Sequence, residues 1–229
     1  MADKGMIMSQ HYTLLGHCNV TLGIILDSLY SQYGSDAVVE IVSNIADNEN
    51  ALADRAYLHH KIKTNELYYS NWQPSGDTKF ILTGMSPNIK SKIFRFFLEH
   101  FSIEADQYRS SIHKSAVVCN GVEFEGAVNI SPLTVIAQYA KLGKFVTLNR
   151  NVSIGHHTEL GEYTTVNPGC NIGGSCKIGK NVVIGIGTTV FDNIEIGDNT
   201  IIGGGSLVTK SIPPNTLAYG APAKVIKTL

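Results

Sequence analysis

The sequence predicts a small α/β sheet domain followed by a β-solenoid whose faces are six residues long. Three observations predict this division. In the first hundred residues, short apolar segments that end in glycine alternate with helix-length segments. From Ile112 to Val208, every sixth residue is large and apolar, and the residue four places after each of them is small or β-branched. A period of six fits neither a helix, with its period of 3.6, nor a strand that simply alternates.

The α/β domain is assigned to residues 1–110. Its strand segments are short and apolar or β-branched, and its helix segments carry apolar residues at helical spacing. Strand, glycine and helix in repetition indicate a Rossmann-like sheet. The predicted strands are residues 12–16, 37–42 and 79–84, and the predicted helices are residues 20–33 and 88–101.

In a sheet of this kind, ligands bind beyond the carboxyl ends of the strands. Gly16 and Gly84 mark two such ends, and Gly16 is followed by His17 and Asn19 at the start of a predicted helix. Backbone N–H groups at a helix start can hold a phosphate, so these four residues are the predicted nucleotide-sugar site. The alternative is that Gly16 only forms a tight strand-to-helix turn.

The solenoid is assigned to residues 111–212, with a tail at residues 213–229. Three hexapeptides would close a triangular coil of 18 residues, so that positions 18 apart stack on each other. The large residue fills the interior, the small residue sits at a tight corner, and glycine or asparagine after the large residue supplies backbone freedom. The predicted interior residues are Ile112, Val118, Phe124, Ile130, Ile136, Leu142, Leu148, Ile154, Leu160, Val166, Ile172, Ile178, Ile184, Val190, Ile196, Ile202 and Val208.

This repeat resembles the left-handed parallel β-helix of hexapeptide-repeat acyltransferases. The left hand is implied by the resemblance, because the usual crossover preference argues for the opposite hand. Within that superfamily the chain most resembles bacterial sugar acyltransferases of the sialic acid O-acetyltransferase type, which include N-acetyltransferases of nucleotide-linked 4-amino sugars. The resemblance is strong over residues 140–226 and weak over the first hundred, where relatives usually carry GxGGHG and this chain has only Gly16 and His17.

The resemblance implies that His156 is the general base. In relatives a histidine at this place precedes a string such as IGEF, and residues 160–163 read LGEY here. An amine that attacks a thioester must lose a proton, and imidazole titrates near neutral pH. The repeat predicts that His156 lies on a flat face with Gln138 and Gly174 below and above it, and that Gly174 leaves room for a ligand. His157 stands where relatives have Asp or Glu, and Glu159 and Glu162 remain alternatives for orienting the imidazole.

The resemblance also implies where acetyl-CoA and the acceptor bind. The tail, with its YGAPAK string, is expected to close a CoA groove between subunits. Asn149 matches a substrate-contacting asparagine of relatives, although asparagine also suits a plain turn. Most glycines of the set have the alternative role of simple coil corners. The residues predicted to contact acetyl-CoA are Thr165, Gly174, Gly185, Ile186, Gly204 and Lys224.

Composition excludes several other classes of protein. The chain has 229 residues, 43% of them apolar and 16% charged, so it is not intrinsically disordered. Its 18 basic and 19 acidic residues give a net charge of −1, which makes nucleic acid and anionic membranes poor partners. No run approaches roughly 18 apolar residues, so we expect no membrane-spanning helix. Four cysteines without a CxxC pair and an N-terminus unlike a signal peptide predict a cytoplasmic protein with reduced thiols.

The predicted function is direct transfer of an acetyl group from acetyl-CoA to the amine of a nucleoside-diphosphate-linked sugar, by a homotrimer in surface polysaccharide biosynthesis. O-acetylation of sialic acid is the alternative reaction, and a non-catalytic scaffold is the alternative class. No metal is expected. A zinc hydratase of the β-helix type needs three histidines, and the side chains of His156 and His157 are expected to diverge.

Overall fold

A computed structural model describes residues 10–16, 19–44, 61–76 and 78–229. The first part is a parallel sheet with the strand order β3-β2-β1-β4. Every predicted strand and helix is present, with each end within two residues of its predicted position. The strands are β1 (Gln10–Leu15), β2 (Ala37–Ser43), β3 (Lys63–Tyr68) and β4 (Lys79–Leu82); the helices are α1 (Asn19–Tyr33) and α2 (Pro87–Phe101), with 3₁₀ turns at Gly34–Asp36, Tyr69–Asn71 and Ala105–Gln107.

The two helices cover opposite faces of this sheet. Leu14 of β1 packs with α1, whereas the next residue, Leu15, packs with α2, as the alternation of side chains along a strand requires. Burial on both faces explains why β2, with the sequence AVVEIVS, reads as a nearly continuous apolar run. The additional strand β3 lies at the sheet edge and is only half-buried, so it lacks the apolar pattern that would have predicted it. Neither helix in the described ranges is long and apolar enough to cross a membrane.

The second part is a left-handed parallel β-helix of two-residue strands that form three faces. Strands 18 residues apart pair in register, for example Ser153 with Asn171. Face 1 consists of β5 (Ser111–Ile112), β8 (Asn129–Ile130), β11 (Thr147–Leu148), β14 (Thr165–Val166), β17 (Val183–Ile184) and β20 (Ile201–Ile202). Face 2 consists of β6 (Val117–Val118), β9 (Val135–Ile136), β12 (Ser153–Ile154), β15 (Asn171–Ile172), β18 (Thr189–Val190) and β21 (Leu207–Val208). Face 3 consists of β7 (Glu123–Phe124), β10 (Lys141–Leu142), β13 (Glu159–Leu160), β16 (Lys177–Ile178) and β19 (Glu195–Ile196).

The predicted interior of the β-helix is correct beyond the first coil. Every member of the series from Ile130 to Val208 is buried in one continuous core. The prediction that Val118 is an interior residue is wrong, because its exposed fraction is 38%. Ile112 and Phe124 are only half-buried. These three residues belong to the first coil, which has a neighbouring coil on one side only.

In each turn, the residue with a left-handed backbone conformation lies two positions later than the sequence predicted. The residue with a positive φ is the third after the interior residue, as at Asn151 (φ 58°) and His157 (φ 59°). The glycine directly after the interior residue has a different cause. A Cβ atom on Gly155 would lie 2.4 Å from the carbonyl carbon of Gly173, so glycine is required here because adjacent coils approach closely.

The small residues at the corners satisfy backbone groups of the next coil. The Thr158 hydroxyl donates to the carbonyl of Gly173 over 2.8 Å, and the Thr164 hydroxyl donates to that of Gly179 over 2.8 Å. Both threonines are buried. A small side chain with one donor therefore fits a corner where a larger residue would collide.

The tail continues face 1 as a β-hairpin. Strand β22 (Thr216–Gly220) pairs in parallel with β20, and β23 (Ala223–Thr228) returns antiparallel along it. The side chains of β23 are largely exposed. The tail therefore extends the sheet of face 1 beyond β20, at the C-terminal end of the β-helix.

Helix α2 docks on the corner between faces 3 and 1. Lys90 of α2 is 1% exposed, and its Nζ donates to the Phe145 carbonyl (2.7 Å), the Thr147 hydroxyl (3.1 Å) and the Thr164 carbonyl (3.4 Å). Removal from water lowers the pKa of Lys90 well below its ordinary 10.5. The ring of Phe145 also packs against Phe94 of α2, so this corner is closed by both polar and apolar contacts.

Candidate active site

His156 and His157 form the turn between β12 and β13. The prediction of a flat face for His156 is wrong, since the turn is the corner between faces 2 and 3. Both imidazoles are exposed at this corner. Exposure leaves His156 accessible to a small substrate.

The two imidazoles contact each other. The Nδ1 atoms of His156 and His157 lie 3.1 Å apart, and the ring planes are at 85°. The expectation of diverging side chains is therefore wrong. On its other side, the His157 ring packs against Tyr139, with ring centroids 5.1 Å apart.

The stacking of positions 18 apart holds at this corner. The backbone N–H of His157 donates to the carbonyl of Gln138 over 3.1 Å, and the His156 ring lies against Gly174 on the other side. A Cβ atom on Gly174 would be 2.7 Å from His156 Nε2. The space over Gly174, which was expected to be left for a ligand, is thus occupied by the imidazole itself. The backbone N–H of Gly174 donates a hydrogen bond to Asp192 Oδ1 over 2.6 Å.

The two carboxylates suggested as orienting groups lie elsewhere. Glu162 pairs with Lys144 at 3.6 Å and with Lys180 at 3.5 Å. Glu159 points outward from face 3. Among the described residues, no carboxylate is within hydrogen-bond distance of His156, and no group of three or more His, Cys, Asp or Glu side chains is arranged to hold a metal ion.

The predicted nucleotide residues lie at the carboxyl edge of the sheet. Gly16 directly follows β1, and Gly84 lies two residues after the neighbouring strand β4. A 3.1 Å hydrogen bond from the Thr83 N–H to the Leu15 carbonyl joins the two strand ends. The φ angles of Gly16 and Gly84 are +107° and +117°. The helices after β1 and β4 cover opposite faces of the sheet, so this is a topological switch point, where a crevice for ligands is expected.

The structure says less about the other two predicted nucleotide residues, His17 and Asn19. Asn19 is the first residue of α1. His17 lies outside the described residues. Gly16 also has a packing role, because a Cβ atom there would be 2.6 Å from Ile93 Cδ1 of α2.

The residues predicted to contact acetyl-CoA do not form one cluster. Gly185, Ile186 and Gly204 meet at the corner between faces 1 and 2, where Ile186 is 62% exposed. Gly174 belongs to the His156 corner, and Lys224 is exposed on β23 of the tail.

Two predicted contact residues are buried in this chain. Thr165 points outward from face 1 next to Thr147 and Thr164, which Lys90 of α2 contacts, and the residue is 1% exposed with its hydroxyl unpartnered. Asn149 is also buried, and its side-chain amide donates to the Val166 carbonyl at 3.4 Å.

Two residues beside the histidines were not among the predicted site residues. Tyr139 lies one coil before His157, and Asp192 lies one coil after Gly174. The 18-residue register could have found both, since each is one coil away from a residue already selected. A cavity of about 480 Å³ lies next to this corner and is lined in part by Phe191 and Asp192.

Comparison with known proteins supports the fold. The family of bacterial transferase hexapeptide repeats (six repeats) matches residues 175–210. No curated protein matches the chain. A variant of perosamine N-acetyltransferase from Caulobacter crescentus, solved with CoA and GDP-perosamine, is 19% identical over 95% of this chain and 97% of its own, with a TM-score of 0.74.

Two further structures have the same TM-score. The acetyltransferase domain of PglB from Neisseria gonorrhoeae, solved with acetyl coenzyme A, is 15% identical over 95% of this chain and 99% of its own, with a TM-score of 0.74. WeeI from Acinetobacter baumannii is 18% identical over 95% of this chain and 100% of its own, with a TM-score of 0.74. At these identities the likeness establishes a shared fold over both parts of the chain.

Proposed function

We propose that the chain is an acetyl-CoA-dependent N-acetyltransferase that acts on an amino sugar carried by a nucleoside diphosphate. The observation that carries this proposal is the exposed His156, held at a β-helix corner by Gly174 on one side and His157 on the other. The shared fold supports it, since one structure of that fold holds CoA with GDP-perosamine and another holds acetyl-CoA.

In the proposed reaction the acceptor amine attacks the thioester carbonyl of acetyl-CoA. His156 Nε2 takes a proton from the amine as the new C–N bond forms. The tetrahedral intermediate then collapses, the C–S bond breaks, and the CoA sulfur leaves and is protonated. The products are the N-acetylated sugar and free CoA, and no acyl group is carried by the protein.

The two substrates are assigned to different parts of the chain. The nucleotide is placed at the switch point beside Gly16 and Gly84, where α1 begins at Asn19 and can present backbone N–H groups to phosphate. Acetyl-CoA is placed along the corner that contains Gly185, Ile186 and Gly204, with Lys224 available for a CoA phosphate. This division requires the acetyl group and the amine to extend to the corner between faces 2 and 3, where His156 lies.

We further propose a homotrimer that buries face 2. The outward residues of face 2 carry no charge, whereas those of face 3 alternate between acid and base. Val117 and Val135 leave apolar surface exposed on face 2, while Lys141 pairs with Glu123 on face 3 at 3.5 Å. An uncharged flat face suits contact between copies, and a charged ladder suits water. Val135→Glu should therefore dissociate the trimer in light scattering, whereas Lys141→Glu should not.

The cytoplasm is the proposed location, since acetyl-CoA is available there and cytoplasmic thiols stay reduced, as expected for the buried Cys170 and Cys176. Acetylation of an activated sugar in that compartment would serve the synthesis of surface polysaccharides.

A thiol-release assay tests the function. Acetyl-CoA is supplied with UDP-, dTDP- and GDP-linked amino sugars, each matched with the same nucleotide sugar bearing a hydroxyl in place of the amine. Release with one amino sugar but not with its hydroxyl counterpart supports N-acetylation. Preference for free sialic acid would favour O-acetylation, and absence of release with every acceptor would favour a scaffold.

A further inference from the structure

We propose that His157 is the positioning residue for His156, in a histidine pair that replaces a histidine–carboxylate pair. In this arrangement His156 Nδ1–H donates to His157 Nδ1, so that the lone pair of His156 Nε2 is free for the acceptor amine. The inference rests on the proposed function for its catalytic meaning. The pairing itself rests on the 3.1 Å separation of the two Nδ1 atoms.

The tautomers of the two rings are linked by this distance. A neutral imidazole has one N–H donor and one acceptor nitrogen, so two Nδ1 atoms at hydrogen-bond distance need one proton between them. If His156 supplies that proton, its Nε2 is unprotonated and can act as a base. The opposite arrangement places a proton on Nε2 of His156 and removes its ability to accept one. The partner at Nδ1 therefore decides whether His156 is competent.

The backbone of His157 is fixed in a way that suits this role. It has a φ of 59°, and its N–H is held by the Gln138 carbonyl at 3.1 Å. Its ring rests on Tyr139, which is itself 58% exposed. His157 is thus supported from the preceding coil.

The His156 ring is supported from the following coil. It lies against Gly174, whose N–H is held by Asp192. Packing on opposite sides keeps the two Nδ1 atoms facing each other. Besides the two histidines, the titratable side chains in this stack are Tyr139 and Asp192, and neither hydrogen-bonds to His156.

Imidazole nitrogen NMR on the intact protein tests the pairing without any substrate. With ¹⁵N-labelled histidine, at a pH where both rings are neutral, we expect His156 to carry its proton on Nδ1 and His157 to carry its proton on Nε2. Replacing His157 by leucine should remove the preference for the Nδ1–H form of His156. Finding the proton of His156 on Nε2 in the parent protein would overturn the inference.

Two substitutions of similar shape separate positioning from packing. His157→Asn places an acceptor oxygen near the position of Nδ1, and His157→Leu fills a similar volume without an acceptor. Both residue types already occupy this corner position elsewhere at nearly the same φ, as Asn151 (58°) and Leu133 (59°). Neither substitution should therefore strain the turn, and equal melting temperatures would verify that.

We expect His157→Leu to lower kcat roughly 10²-fold with KM for acetyl-CoA unchanged, and His157→Asn to recover most of that loss. Equal losses in both variants, or full activity of the leucine variant, would contradict a positioning role. Absence of thiol release by the parent protein would overturn the acetyltransferase function, whereas the NMR tautomers decide the histidine pairing independently.

Discussion

Two corners of the β-helix use the same backbone for different purposes. At the corner between faces 3 and 1, Phe145 and Thr164 are buried beneath α2 and bound by Lys90. At the corner between faces 2 and 3, His156 and His157 are left open to solvent. The repeat fixes the backbone geometry of both corners. Whether another element docks against a corner decides whether that corner is buried or open to substrates.

The interior shared by both corners should give the largest effect. Ile178→Asp would bury an unpaired carboxylate in the core, which destabilises the fold by several kcal/mol. Thermal unfolding should show a large loss or no folded protein. Lys180→Gln, two residues on at an exposed position, is the control and should change stability by less than about 1 kcal/mol. Equal melting temperatures for the two variants would refute the assignment of the interior.

At the open corner, His156→Ala should affect rate and leave stability unchanged. An exposed side chain contributes little to folding, but loss of a positioned base lowers turnover by roughly 10²–10⁴-fold. Single-turnover kinetics should locate the loss in the chemical step, with acetyl-CoA affinity kept. Gln138→Ala, one coil away and also exposed, should retain its activity. More than about half of the parental turnover in His156→Ala would mean that another group removes the proton.

A smaller loss of kcat is expected when a substitution displaces the His156 imidazole without removing it. The Cβ atom of Gly174→Ala would lie 2.7 Å from His156 Nε2, so the ring must move. If His156 is the proposed base, displacing its ring should lower kcat by roughly 10- to 100-fold, with little change in melting temperature. Gly76→Ala is a suitable comparison, since nothing lies within 4 Å of the added Cβ atom. Unchanged kcat in Gly174→Ala would show that the position of the ring is not critical.

At the closed corner, Lys90 should make stability depend on pH. Its pKa is lowered in the folded protein, so the unfolded chain binds more protons between that pKa and 10.5. The contribution to the free energy of unfolding is fully present above pH 10.5 and is lost as the pH falls toward the lowered value. Lys90→Met should lack this slope, so that its stability relative to the parent protein declines as the pH rises toward 10.5. Parallel urea-unfolding curves over that range would contradict it.

The sequence predicted the β-helix well because its contacts repeat at a fixed, short spacing. The buried series from Ile130 to Val208 follows directly from that period. The period also named Gln138 and Gly174 as neighbours of His156. It could not give the rotamers at a corner, and for that reason the contact between His156 and His157 was missed.

The six-residue period could not predict contacts between the α/β domain and the β-helix. Thr165 was predicted to reach the acyl donor, but docking of the α/β domain buries its side chain. Lys90 reads as an ordinary polar residue of an amphipathic helix, yet it is almost fully buried. Both outcomes depend on which corner α2 covers, and nothing in a six-residue period encodes that choice.

The unbroken register has a consequence for how such a chain can change in length. Each coil adds 18 residues and advances the stack by one strand spacing, about 4.8 Å. Insertion or removal of a whole coil between His156 and the hairpin tail would shift the tail by that one increment and leave the histidine corner intact. A length change that is not a multiple of six would place outward residues in the interior, and one of six or twelve residues would keep the interior but move the tail to another face. The distance between His156 and the tail is therefore adjustable only in discrete steps.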